Sequence, residues 1–171
     1  MPWRLRRATA SDAPALSLVA SAAFLETYAT VLDGADLVAH CNRHNTVDTF
    51  ATWAEDADTI VTIAEHEPGG APIGYTVLTT PDFPFACEPG DVELRRIYTL
   101  TQMHGSGLGR ALMDRALEEA APRYDRVLLG VWENNLRARA FYERSGFAVV
   151  GTRRFKVGAV THIDPVYARA L

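Results

Sequence analysis

Apolar residues recur at helical spacing early in the chain, where Leu16, Val19, Ala20, Ala23 and Phe24 share one face. Ser11-Asp12-Ala13-Pro14 precedes them, offering a serine cap and a proline inside the first turn. A helix is therefore predicted to about Tyr28, after a short strand over residues 3 to 7. Residues 33 to 56 are more polar and predict one or two weaker helices.

Further on the period shortens. Thr59 to Ala64 and Ile73 to Thr79 are rich in β-branched residues and flank Glu67-Pro68-Gly69-Gly70, so they read as a hairpin. Residues 81 to 90 carry three prolines and predict an irregular loop. Val92 to Leu100 is the next strand. Helical spacing returns over Gly107 to Ala121, with Leu108, Leu112, Ala116 and Ala120 in one stripe beside Met113 and Leu117. Arg126 to Trp132 reads as a buried strand, and Leu136 to Ser145 as a short helix stopped by Gly146. Two closing strands are predicted at about 147 to 155 and 162 to 169.

Hairpins mixed with one crossover imply an α/β (α+β) domain with a mixed, mostly antiparallel sheet of six or seven strands and about four helices. At 171 residues the chain fits one domain spanning positions 1 to 171. Its 48% hydrophobic and 22% charged content is that of an ordinary globular protein. A formal net charge of −4, with both signs interspersed, lacks the footprint of a nucleic-acid binder. No stretch approaches the ~20 apolar residues of a membrane helix, and no secretory leader is visible. Cytoplasmic residence, no nucleic acid and no membrane partner are the resulting expectations, and a homodimer is compatible with them. Cys41 and Cys87 are too few and too poorly spaced for a disulfide framework and read as free thiols. His40 and His44 share a helical face in metal-ligand spacing, but no third ligand lies nearby, so a solvated face is expected and no metal.

The sharpest chemical signal is His104-Gly105-Ser106-Gly107-Leu108-Gly109-Arg110 at a strand-to-helix junction. Three alternating glycines bare successive N–H groups at the positive end of a helix, which suits a phosphate or pyrophosphate. A tight turn needing glycine for positive φ is the plain alternative. A P-loop would need lysine then serine or threonine where Arg110-Ala111 stands, and the dinucleotide fingerprint a glycine or alanine at Arg110.

The loop resembles the acetyl-CoA pyrophosphate loop of the GCN5-related N-acetyltransferases (GNAT), Arg/Gln-x-x-Gly-x-Gly/Ala. Gly107 and Gly109 match its glycines, while His104 departs from the usual arginine or glutamine. Asn135 to Phe147 resembles the family's Asn…Phe-Tyr-x-x-x-Gly-Phe segment, and Arg7-Ala8-Thr9 through Asp12-Ala13 its opening. The resemblance implies that central strands splay around the cosubstrate acetyl-CoA, with Ile97, Tyr98 and Thr99 giving backbone contacts and an oxyanion-type donor. His104, Gly105, Ser106, Gly107, Leu108, Gly109, Arg110 and Asn135 would complete the binding set, Asn135 doubling as a helix cap.

Tyr142 aligns with the tyrosine that protonates the departing thiolate. A familiar acidic position of the later strand falls on Gly130, so the base must lie elsewhere, and Glu93 at the opening of the cofactor-bearing strand is the candidate. Cys87 lacks a base partner and reads as a bystander. Residues 129 to 135 and 155 to 164 resemble the PaiA-type spermidine/spermine acetyltransferases. This implies direct transfer to a primary amine, a polyamine that Glu93, Glu133 and Asp164 could meet. The alternatives are an N-terminal or other small-amine acetyltransferase and a non-catalytic acyl-CoA sensor.

Overall fold

The structure, a computed structural model, describes residues 2–171. The seven strands are β1 (Trp3–Arg7), β2 (Ile60–His66), β3 (Ala71–Thr79), β4 (Asp91–Thr99), β5 (Arg126–Gly130), β6 (Ala148–Val157) and β7 (Val160–Ala170). They form one sheet in the order β1-β2-β3-β4-β5-β7-β6. Neighbours are antiparallel except β4 and β5, which run parallel. A parallel neighbour requires a crossover, and α4 (Leu108–Ala120) supplies it. The other helices are α1 (Ala13–Tyr28), α2 (Gly34–His44), α3 (Val47–Glu55) and α5 (Leu136–Arg144).

The mixed sheet matches the expectation, and the polar stretch 33 to 56 resolves into two helices because Thr46 stops one and caps the next. Its hydroxyl accepts from the Thr49 N–H at 3.0 Å. Ser11, expected to cap the first helix, lies instead in a 3₁₀ turn, Ala10–Asp12. Asp12 holds the N-cap position of α1 without a side-chain bond into that helix; its carboxylate accepts the Thr9 N–H in the box that opens the 3₁₀ turn. Arg6 grips both Asp12 oxygens at 2.7 and 2.8 Å, which selects the aspartate over its serine neighbour.

Both faces of the sheet are covered. Phe50, Val61, Tyr75 and Val77 are buried with α1 and α3 on one side, and Leu78, Val92, Met113 and Val127 with α4 and α5 on the other. Val77 and Leu78 serve opposite cores because successive strand residues point opposite ways. Each such side chain contributes about 1.5–3 kcal/mol on burial.

The central pair β4 and β5 touches for only a short distance: Asp91, Val92 and Glu93 pair with Arg126, Val127 and Leu128. At that root the Arg126 guanidinium clasps the Asp91 carboxylate through two bonds of 2.8 Å. Beyond it β5 turns to β7, whereas β4 continues along β3 as far as Thr99. The β4 edge from Leu94 to Thr99 thus faces a gap. A bulge at Arg95, between the pairs Leu94↔Leu78 and Arg96↔Val77, bends the strand where the gap opens.

Candidate active site

The gap widens into an open cleft of about 1260 Å³, lined by the free edge of β4, the end of β5, the glycine loop and α5. Ile97, Tyr98 and Thr99 lie on that edge, as the sequence required of backbone donors. Ile97 packs toward α4, while Tyr98 stacks on Tyr75 at 5.9 Å on the opposite face.

At one end of the cleft the chain turns into α4. Gly105 and Gly107 adopt φ of 82° and 87°, the left-handed region that favours glycine. A Cβ added at either would meet nothing within 4 Å, so a concavity lies over the loop. The Ser106 N–H is spent on Met103 O and the Leu108 N–H on Ser106 Oγ, which fixes the turn. Gly109 and Arg110 stand in the first turn of α4, where N–H groups lack helical partners. The Arg110 side chain points away along the helix to Asp114, leaving its backbone as the contribution to the cradle. The exposed His104 ring contacts the Arg137 guanidinium of α5. Burial, then Arg137, holds its imidazole below the ordinary histidine range. The Arg137 guanidinium thus stands beside the position where the family pattern has arginine or glutamine.

α5 presents the second motif. Asn135 caps it by accepting the Ala138 N–H at 3.1 Å while lining the cleft. Tyr142 is buried among Phe141, Phe147 and Tyr167, with ring centroids 5.6 to 6.2 Å away, and also borders the cleft. Burial, with Tyr98 as a minor contributor, pushes its phenol above the usual tyrosine range. It therefore rests protonated.

At the other end the walls are side chains from distant parts of the sequence. Glu93 is there, but its buried carboxylate accepts from the Asp82 N–H and from Arg95, each at 3.0 Å, and lies 3.8 Å from Arg153 of β6. Gly130 leaves room for that arginine, since a Cβ there would collide with the Arg153 guanidinium. Asp164 of β7 is 1% exposed and accepts the Glu133 N–H at 3.2 Å. Burial raises its carboxyl above the ordinary carboxylate range. Trp132 donates to His162 Nδ1 at 3.2 Å and lies against Tyr28 of α1, ring centroids 5.7 Å apart. His40 stacks on Phe24 at 4.0 Å.

Comparison with known proteins agrees with this geometry. The acetyltransferase (GNAT) family model matches residues 26–147. The chain belongs to the GNAT family. An uncharacterised N-acetyltransferase of Mycobacterium tuberculosis is 38% identical over 123 residues, covering 71% of this chain and 74% of the relative. The PaiA N-acetyltransferase of Thermoplasma acidophilum, solved with coenzyme A, superimposes with a TM-score of 0.81 at 18% identity over 100% of both chains. The ribosomal-protein-alanine N-acetyltransferase of Brucella melitensis gives 0.73 at 26% identity, over 98% of this chain and 99% of that one. This GNAT chain is an acyltransferase of the N-acetyltransferase type.

The glycine loop, Asn135 and Tyr142 all border the cleft. The other end holds side chains to which the sequence assigned no role, Tyr28, Trp132, His162 and Arg153, and His40, expected on a solvated face. Burial first, then His44 and Arg96, pushes the His40 ring down to about 4, so it stacks as a neutral imidazole. Among the described residues no group of three His, Cys, Asp or Glu could hold a metal, and no helix is long and apolar enough to cross a membrane. Cys41 and Cys87 are free.

Proposed function

We propose that this GNAT chain transfers an acetyl group directly from acetyl-CoA to the primary amine of a small molecule, with Tyr142 as proton donor. The carrying observation is that the buried, protonated Tyr142 on α5 borders the same cleft as the glycine loop that opens α4. The open concavity over Gly105 and Gly107 fits a pyrophosphate, and the unpaired β4 edge fits an amide-bearing arm. When bound there, acetyl-CoA supplies a thioester as acyl donor.

The chain's own residues do the rest. N–H groups among Ile97, Tyr98 and Thr99 meet the arm and the charge that develops on the acyl oxygen. As nitrogen bonds to the acyl carbon and the carbon–sulfur bond breaks, the Tyr142 hydroxyl gives its proton to sulfur. The proton lost by nitrogen needs an acceptor. Glu93, the sequence-based candidate, has its carboxylate occupied by Arg95, Arg153 and the Asp82 N–H. Asp164, desolvated and raised toward the working range of a base, is the better placed of the two.

A polyamine acceptor, suggested by resemblance, would rely on Glu133 and Asp164, since Glu93 is already paired. Release of free CoA from acetyl-CoA, measured across monoamines, polyamines and amino acids, tests the reading. Amine-dependent release is expected. Tight acetyl-CoA binding with no release for any amine would make the protein an acyl-CoA sensor.

A further inference from the structure

We propose that Arg153 forms an anion subsite at the acceptor end, so that the preferred substrate is a primary amine that also carries a carboxylate. The inference rests on the acetyl-transfer reading for the site's purpose, but its physical basis is separate. Arg153 lies across Gly130, the one residue type on β5 that lets a guanidinium occupy this place. It is flanked by the rings of Phe83 and Phe155, 5.7 and 5.5 Å from its carbon, and it lines the cleft.

Its pairing is incomplete. Nε is buried with no hydrogen-bond partner, a condition that native structures seldom leave unanswered. The nearest carboxylate, Glu93, is at 3.8 Å and already receives two shorter bonds. An acceptor carboxylate would meet the guanidinium as a planar, charge-matched partner.

The surroundings have the same sign. Arg43, Arg95, Arg96, Arg153 and Lys156 line the cleft together with Asp82, Glu93 and Asp164, and Glu133 stands 3.7 Å from His162, so five cations meet four carboxylates. Arg96 donates to neutral acceptors, Asn45 Oδ1 at 2.6 Å and the His44 carbonyl at 3.1 Å, and stands over the rings of Trp53 and Phe50, so among the described residues no carboxylate pairs with it. A polycation entering here would face a surplus of its own charge, whereas an amino acid would balance it. The aromatic wall of Phe24, Tyr28 and Trp132 suits the apolar stem between amine and carboxylate.

The test compares an α-amino acid and an ω-amino acid with their amides, and with spermidine, at saturating acetyl-CoA, with rates expressed per neutral amine. The acid of at least one pair is expected to exceed its amide in kcat/KM by on the order of 10- to 100-fold, chiefly through KM, the scale of one charge-assisted contact. Arg153→Gln should collapse that ratio, and Arg153→Lys should restore part of it. Gly130→Ala, which displaces the guanidinium without removing it, should collapse it as well. Equal rates for acid and amide, spermidine as the best acceptor, or an Arg153→Gln loss shared equally by acid and amide would overturn the proposal. Equilibrium binding of each pair to the CoA complex separates the two readings. A preference for the acid without turnover would keep the subsite and remove the acetyl-transfer reading, while no preference in either assay would remove the subsite.

Discussion

Where α4 begins, the cleft presents backbone: glycines at φ 82° and 87°, a helix start, and no side chain within 4 Å of the open positions. Where β6 and β7 meet it, the cleft presents side chains: Arg153 and Asp164 stand opposite in strand register, Asp164 accepts the Glu133 N–H, and Trp132 donates to His162 and lies against Tyr28 of α1. On the proposed function the difference follows from the ligands. A pyrophosphate is met by N–H groups that almost any sequence possesses, provided glycine permits the turn. An acceptor amine must be met by particular chemical groups, and these must be brought from several elements.

The most damaging break on this view joins the two regions at the reacting atoms. Tyr142→Phe keeps the ring's packing against Phe147 and Tyr167, so fold and acetyl-CoA affinity should hold while kcat falls by about 10²–10⁴-fold. Because burial raises the phenol, its ionisation should not shape the rate profile below the usual tyrosine range near ~10. A variant with nearly full turnover would show that water protonates the thiolate.

The backbone region can be broken selectively. Gly107→Val introduces a branched side chain at positive φ and fills the cradle, so KM for acetyl-CoA should rise by on the order of 100-fold with kcat less affected. Gly109 has no positive φ, and its Cβ would meet only Phe141 at 4.0 Å. Gly109→Ala should therefore raise KM far less. Equal effects from the two would mean that the loop works through steric exclusion alone.

The side-chain region gives the smallest and most informative change. If Asp164 accepts the amine proton, the rate should be full above its raised pKa and decline as pH falls through it. Asp164→Asn should lower kcat by on the order of 10- to 100-fold and abolish that acid limb. Glu93→Gln, which loosens Arg95 and Arg153, should leave the limb in place. Loss of the limb in Glu93→Gln alone would return the base to Glu93.

The same contrast explains what the sequence disclosed. Elements with strong periodicity, such as α4, fell within one or two residues of their predicted bounds, because one face of Leu108, Leu112 and Ala116 meets the core. The glycine loop and the Asn135 to Phe147 segment were legible because their geometry is local. Arg153 against Gly130, or Trp132 against His162 and Tyr28, depends on pairs far apart in the chain that only the sheet order brings together. Glu93 shows the middle case: its strand was visible, but the two arginines that occupy its carboxylate were not. Ser11 lost the cap to Asp12 for a similar reason, since the deciding partner, Arg6, stands on another element.

The clasp of Arg126 on Asp91 acts as the pivot of a caliper whose jaws are β4 and β5. From that pivot the free jaw, Leu94 to Thr99, extends roughly 20 Å at ~3.3 Å per residue. A rotation of only about 5° at the pivot would displace its tip by nearly 2 Å over that length. An ion pair that does not itself line the cleft is thus placed to influence its width.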